Sequence, residues 1–463
     1  MKVLWLCNVM LPAFARTHDL PYTNREGWLS GSYERMVRDR ADDSGEGNTS
    51  ARDIELGVCF PAPYALGNFR QEQDSVIFYG FLENLDTPEV YDHTLEKRFQ
   101  EILNDFQPDI VHIFGTEFPH TLAMIQAFHN PDRILLGIQG LCSVIAEKYM
   151  ADLPVMVQKD ATFRDKLKKD SLVQQQEKYR RRAAMENASI RMAGHITGRT
   201  DFDRRVTASI NPKAVYHHMN ETMRSCFYTT PVWKRENSVP YSIFLPQGDY
   251  PIKGFHYMLQ ALPKLIAAHP QTHVYVAGNS IIGRADRSSV TAPGDRSSES
   301  GGSRYPLFIR ISAYGRYLRL LMVEKHLKKH VTVLGKLSAE QMKEQYLKCS
   351  VFACPSAVEN SPNSVGEAML LGVPVVASRT GGIPSMVDEN HDGILFEAGN
   401  ADALAAAIMQ IWDEGVIADV FGENARKHAL RTHDADLNYA RLLEIYRAIN
   451  ASAGKNETGV KGE

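Results

Sequence analysis

Cysteine is scarce in this 463-residue sequence: six residues, at 7, 59, 142, 226, 349 and 354, with no CxxC pair and no Cys/His metal spacing. Cys7, Cys349 and Cys354 lie in or beside apolar strand-like runs, where cysteine behaves as a small core hydrophobe. A reducing compartment is therefore the simpler inference. Neither sign of charge is in excess, with 52 basic against 55 acidic residues and a net charge of −3, so the footprint of a nucleic-acid partner is missing. No run approaches the roughly 18 apolar residues of a membrane-spanning helix. The start, Met1 to Cys7, loosely imitates a signal peptide, but Asn8 and Pro12 interrupt the run and one positive charge precedes it. It reads instead as a buried first strand, and the chain as cytoplasmic. No G-x-G-x-x-G follows any expected strand, which disfavours an NAD oxidoreductase.

What is present suits a globular protein of two or three domains, with 44% hydrophobic and 23% charged residues. Short apolar runs alternate with segments of helical period, the pattern of a parallel sheet covered on both faces. Strands are expected at 2–6, 54–59, 75–79, 109–113, 133–138 and 195–197, then at 241–245, 273–277, 331–334, 351–353 and 375–377. Helices are expected at 95–105, 121–128, 255–268, 317–326, 339–347 and 363–371. Thr229-Thr230-Pro231 and Asn237-Ser238-Val239-Pro240 break the pattern and set a boundary near 230. Residues 1–230 and 231–435 then form two doubly wound halves, with 436–463 a final helix and flexible tail. In such sheets ligands bind at the carboxyl ends of the strands, which directs the site to a cleft between the halves. Segments 42–50 and 284–303, rich in Ser, Gly and charge, are expected to be exposed loops.

The most informative stretch is Pro355-Ser356-Ala357-Val358-Glu359-Asn360-Ser361-Pro362-Asn363-Ser364-Val365-Gly366-Glu367. Glu359 and Glu367 are separated by seven residues across a polar turn that opens a helix. Asn363 or Ser364 can cap that helix, leaving its first N–H groups to face an anion. An acid on each side of such a turn suits a phosphorylated sugar carrier. One carboxylate can accept from ribose hydroxyls; the other can hold sugar hydroxyls or the turn itself. This stretch resembles the E-x7-E signature of the family-4 retaining glycosyltransferases. The resemblance continues through Thr380-Gly381-Gly382-Ile383-Pro384 and Asp392-Gly393-Ile394-Leu395-Phe396.

The resemblance implies an α/β GT-B fold: two Rossmann-like domains facing across a cleft, the first binding the acceptor, the second the nucleotide-sugar donor, and a C-terminal helix that crosses back. It implies Lys253 and Glu359 as catalytic residues. Donor binding would fall to Glu367, Asn363, Ser364, Val365, Gly278, Gly335 and Leu337. Lys253-Gly254 matches the K-G pair of the family, but Gln247 stands where an arginine is expected, so part of the charge opposing a leaving diphosphate is missing. Arg199, at another strand end, is a candidate replacement. On the acceptor side, Gly31 belongs to an expected glycine-rich loop, 27–32, and His112 and Glu117 lie at the end of the strand expected at 109–113. Gln139 occupies a place where many relatives carry a histidine. Gln139 cannot act as a base, which a retaining mechanism tolerates because the leaving diphosphate oxygen can take the acceptor's proton.

Asp201-Phe202-Asp203 matches the D-x-D metal pattern of a different transferase class, yet at a helix start acids are favoured by the dipole alone. No metal or other cofactor is expected. The basic stretch 163–182 can touch anionic lipid headgroups, although a solvated helix face explains it too. The expected activity is transfer of a sugar from a nucleotide diphosphate-sugar to a glycan or lipid-linked acceptor hydroxyl, as in bacterial surface-polysaccharide synthesis. The alternatives are a sugar-nucleotide epimerase or hydrolase of the same fold, and a non-catalytic sugar-nucleotide-binding subunit.

Overall fold

The computed structural model describes residues 1–20, 27–41, 53–279 and 310–459. The expected loops at 42–50 and 284–303 lie outside them. The chain divides into two compact units. The first comprises Met1–Ser143, Lys178–Met223 and His433–Glu463; the second comprises Val144–Glu177 and Arg224–Thr432. Segment 144–177 and Arg224 therefore group with the second unit, whereas a single cut at 230 assigns them to the first.

The first unit is built on β1 (Lys2–Cys7), β2 (Glu55–Pro61), β3 (Phe69–Gln73), β4 (Val76–Phe81), β5 (Ile110–Phe114), β6 (Ile134–Gly137), β7 (His195–Gly198) and β8 (Val215–His218). They form one eight-stranded sheet in the order β3-β4-β2-β1-β5-β6-β7-β8. All pairs are parallel except β3 with β4. β1 is buried almost throughout, as a central parallel strand must be. Beyond β1 the chain builds outward through β2 and β4, then returns to start the other flank at β5. The switch point of the sheet thus lies between the carboxyl ends of β1 and β5.

The final helix, Ala435–Gly459, belongs to this unit and takes up most of the segment expected as helix and flexible tail. Its Leu442, Tyr446 and Ile449 join Val3, Trp5 and Cys7 in one core cluster. Tyr446 OH accepts from Trp5 Nε1 at 2.8 Å and lies 2.7 Å from His112 Nδ1. His112 is fully buried in β5, and burial pulls its pKa down to about 3. It is a core residue, and its ring borders a small cavity shared with Gln139 and Arg199.

The glycine-rich loop expected at 27–32 is also corrected, because Gly27–Ala41 is a helix. Leu29, Tyr33 and Met36, spaced four and three apart, are buried along one stripe of it. That amphipathic spacing outweighs the roughly 1 kcal/mol that a helical glycine such as Gly31 costs.

The second unit carries β9 (Val239–Leu245), β10 (His273–Ala277), β11 (Val331–Gly335), β12 (Cys349–Cys354), β13 (Val375–Ser378) and β14 (Ile394–Phe396). They form a six-stranded, wholly parallel sheet ordered β11-β10-β9-β12-β13-β14. Its switch point lies between the carboxyl ends of β9 and β12. The loops leaving those two strands carry Lys253 and Glu359.

Candidate active site

In the second unit the loop after β9 ends in a 3-10 turn, Pro251–Lys253, closed by Gly254 at φ 71°. A Cβ on Gly254 would stand 1.8 Å from the carbonyl oxygen of Pro355, so only glycine lets the two loops approach. The backbone N–H of Ala357 donates to Ile252 O at 2.7 Å and stitches them together. This close approach delivers Lys253 Nζ to Glu359 Oε1 at 2.7 Å, and Ser356 Oγ donates to the same oxygen at 2.8 Å.

A second glycine seats Glu359. Gly381 has φ 52°, and a Cβ there would lie 1.8 Å from Glu359 O. Gly382 N donates to that oxygen at 3.0 Å, and Thr380 Oγ1 donates to Ala357 O at 2.9 Å. The Thr380-Gly381-Gly382 segment is thus the floor on which the Glu359 loop rests.

The helix Asn363–Leu371 opens from Pro362, with no side-chain cap. This corrects the expectation that Asn363 or Ser364 caps it: proline's ring already fixes φ at a value suited to helix entry. Val365 N turns back to Pro362 O at 3.0 Å, and Ser364 O accepts from Tyr346 OH at 3.1 Å.

Glu367 sits in the second turn and is 4% exposed. Arg224 donates to its Oε1 through Nε at 3.2 Å and Nη2 at 2.5 Å, and Tyr346 OH donates to Oε2 at 3.3 Å. Burial raises the Glu367 pKa, and the Arg224 charge opposes that rise. Arg224 itself lies over the Phe227 ring at 4.9 Å. Sequence reasoning missed Arg224; 143 positions separate it from Glu367, and no local pattern links them.

At the ends of β10 and β11, Gly278 (φ 112°) donates to Gly335 O at 2.9 Å. A Cβ on Gly278 would stand 2.3 Å from Asp249 Oδ1. Asn279 Nδ2 donates to Asp249 Oδ2 at 2.9 Å. Burial raises the Asp249 pKa, against hydrogen bonds from Asn279 and Gln247 and the charge of Lys336. Gln247, in the place of the missing arginine, is therefore a partner of Asp249, another residue the sequence reading passed over. Leu337 lies half-buried just before Ser338, the N-cap of the helix Ala339–Lys348.

In the first unit, Glu117 follows β5 at the switch point. Its Oε1 accepts from Gly140 N at 2.7 Å, and Asn8 Nδ2 lies 3.5 Å from Oε2. Behind it His120 bridges Asn8 Oδ1 at 2.9 Å and Glu83 Oε2 at 2.6 Å. Gln139 Nε2 donates to Glu221 Oε1 at 2.7 Å, and Arg199 Nη2 to Gln139 Oε1 at 3.2 Å. Arg199 Nη1 also forms a buried ion pair with Glu221. The charge of Arg199 is thus spent inside the first unit, which counts against its use as a stand-in at Gln247.

Asp203 of the D-x-D pattern is buried and serves in a capping box with Thr200. Among the described residues, one group has ligand atoms close enough to share a metal: Asp388, Asp392 and His428, within 4.8 Å of one another. There Asp392 already accepts from Asp388 N at 2.7 Å and lies 2.6 Å from His428 Nδ1, whose pKa it raises.

Of the expected residues, the structure brings Lys253 to Glu359, Gly278 to Gly335, and Gln139 to Arg199. Gly31 lies in a helix, and His112, buried in the core, borders the same small cavity as Gln139, Arg199 and Glu221.

The chain is 27% identical over 198 residues to D-inositol 3-phosphate glycosyltransferase of Corynebacterium urealyticum, an overlap of 43% of this chain and 41% of that protein. The match spans less than half the length of that curated relative. Among solved structures, sucrose-phosphate synthase from Thermosynechococcus elongatus matches with a TM-score of 0.65 at 14% identity, over 98% of this chain and 100% of that one. HepE from Anabaena, solved with UDP-glucose, matches with a TM-score of 0.61 at 15% identity, over 97% of this chain and 100% of that one. These likenesses establish the fold, the GT-B arrangement of two Rossmann-like units. Residues 233–428 match the family described as glycosyl transferases group 1, so the chain carries a domain of that family.

Proposed function

We propose that the protein is a retaining glycosyltransferase that moves a sugar from a nucleotide diphosphate-sugar to a hydroxyl of a glycan or lipid-linked acceptor, in the assembly of a polysaccharide or glycoconjugate. The observation that carries this reading is the meeting of Lys253 with Glu359 at the switch point of the second sheet. Doubly wound sheets bind ligands at that point. The fold neighbour HepE was solved with UDP-glucose, which supports a nucleotide sugar as the donor here.

In this reading Lys253 exchanges part of its contact with Glu359 for the departing diphosphate. The N–H groups opening the helix Asn363–Leu371 add their dipole, and the developing charge is met without a divalent ion. Arg224 provides a second cation beside that helix and takes the place of the arginine missing at Gln247. Glu359, held by Ser356 and by the Gly381 floor, receives hydroxyls of the donor sugar. Glu367 grips the ribose as Arg224 turns toward phosphate. Gln139 offers no base, and a retaining route needs none, because the leaving oxygen accepts the acceptor's proton. Glu117, fixed by Gly140 and Asn8, is the carboxylate we assign to acceptor hydroxyls.

Binding of UDP-, GDP- and ADP-sugars, measured by thermal shift and then by turnover with labelled donor, tests the proposal. Donor-dependent stabilisation and transfer of label to an added acceptor are expected. Release of free sugar or an epimer would move the reading to a hydrolase or epimerase. Failure of every nucleotide sugar to bind would end it.

A further inference from the structure

The basic stretch singled out in the sequence divides in the structure. In the first unit, Lys178 pairs with Glu89, and Arg182 Nε donates to Glu117 O at 2.9 Å beneath the Phe118 ring. Those cations serve the protein. The preceding part, in the second unit, is different. Two short helices, Val155–Gln158 and Phe163–Lys168, carry large apolar side chains into solvent: Met156 is 86% exposed, Leu167 67%, Val155 61% and Phe163 58%.

Helix Phe163–Lys168 is amphipathic in the inverted sense. Its buried residue is an acid, Asp165, while Phe163 and Leu167, four apart and so on one face, point outward. The polar side is what holds the segment down. Asp165 Oδ2 accepts from Ala313 N at 2.8 Å and from Thr162 N at 3.0 Å, and Thr162 Oγ1 donates to Ile311 O at 2.8 Å. An anchored segment that turns its acid inward and its apolar side chains outward presents a surface for something other than water.

The charges around it name the partner. Lys159, Lys166, Lys168 and Lys169 are all exposed, and no ion pair among the described residues engages them. The carboxylates of the same segment are spent: Asp160 pairs with Arg316, and Asp170 with Arg164 at 2.8 Å. Exposed apolar side chains and uncompensated lysines in one segment match the two layers of an anionic bilayer, acyl chains for the first and headgroups for the second.

We propose that segment 155–169 docks the protein on an anionic phospholipid surface, with Met156, Phe163 and Leu167 inserted and the four lysines at headgroup level. This stands independently of the proposed chemistry. The test is co-sedimentation of the full chain with phosphatidylcholine vesicles, with and without phosphatidylglycerol. Binding is expected only with the anionic lipid and is expected to fall as salt is raised. Lys166→Gln, Lys168→Gln and Lys169→Gln should each weaken partitioning about fivefold, the ratio that about 1 kcal/mol per lysine supplies. Met156→Ser with Leu167→Ser, at exposed positions that leave unfolding unchanged, should weaken binding to the anionic vesicles by more than tenfold. No sedimentation with anionic vesicles, or equal sedimentation of wild type and variants, would overturn the proposal. So would concentration-dependent self-association that the serine variant abolishes in the absence of lipid, which would make the patch a contact between copies.

Discussion

Arg224→Met is the perturbation that tests the site most directly, because it removes the cation the structure pairs with Glu367. The variant keeps the length of the side chain and its cover over Phe227, and leaves Glu367 buried with Tyr346 as its remaining partner. Breaking a fully buried ion pair from one side costs about 3–5 kcal/mol. The Arg224 side chain is 22% exposed, so partial solvation should reduce this to about 2–3 kcal/mol. Glu367→Gln, which keeps a polar group for both partners, should cost about 1 kcal/mol. The double variant should recover about 1–2 kcal/mol relative to the sum, since the unpaired charge is then gone.

The pH dependence has a definite sign. The folded-state pKa of Glu367 is already raised, and losing Arg224 raises it further. A raised carboxyl pKa gives stability that is complete below the unfolded value, near 4.3, and is lost as pH rises through the folded value. The defect of Arg224→Met should accordingly be largest near neutral pH and shrink on acidification. Urea unfolding followed by tryptophan fluorescence, for which Trp233 is a buried reporter in the same unit, measures it. A defect independent of pH, or strict additivity in the double variant, would refute the pairing as described.

Lys253→Ala should lower kcat with a nucleotide-sugar donor by about 100- to 1,000-fold, the scale of losing one preorganised charge, and should alter stability little; loss of KM alone would contradict a role at the departing diphosphate. Gly254→Ala and Gly381→Ala each force a Cβ to within 1.8 Å of a carbonyl oxygen at positive φ. Both should abolish donor-induced thermal stabilisation while circular dichroism reports a retained fold, and a donor response equal to wild type would show that the loops can part. His112 has a folded pKa of about 3, so it contributes stability above its unfolded pKa near 6.5 that is lost as pH falls toward 3; His112→Gln should flatten that part of the acid-unfolding profile, and an unchanged slope would contradict its burial as the neutral form. Chelation with EDTA should leave turnover unchanged, and a loss restored by magnesium or manganese would overturn the metal-free reading.

Much of the architecture was legible because parallel strands must be continuous apolar runs. Val3-Leu4-Trp5-Leu6 and Val351-Phe352-Ala353 announce themselves by composition, and helix Phe255–Ala268 by its period. The two edge strands of the first sheet, β3 and β8, were not legible. β3, Phe-Arg-Gln-Glu-Gln, is polar and exists because Phe69 lies across Gly80, where a Cβ would stand 2.3 Å from the ring. β8, with two exposed ends, is likewise defined by its neighbour rather than by its own residues. Similarly, the glycines of 27–32 suggested a loop because local propensity was weighed without the Leu29–Tyr33–Met36 stripe that packs the segment as a helix.

The site divides along the same physical line. Glu359, Lys253 and Gly254 could be found because each lies in a short motif whose local geometry is self-sufficient: a glycine turn, a strand end, a helix start. Arg224 and Asp249 could not, because their significance rests on partners brought together by the sheet. The substitution at Gln247 shows why this matters. From sequence it reads as a missing positive charge, and the nearest compensating cation by strand position is Arg199. In the structure Arg199 is neutralised by Glu221, and Gln247 is engaged with an acid, Asp249, that would itself have to be answered by any arginine placed there. The cation set beside the helix that follows the Glu359 loop is Arg224, itself paired with Glu367. Restoring the arginine by Gln247→Arg should therefore pair it with Asp249 rather than raise the affinity for a diphosphate.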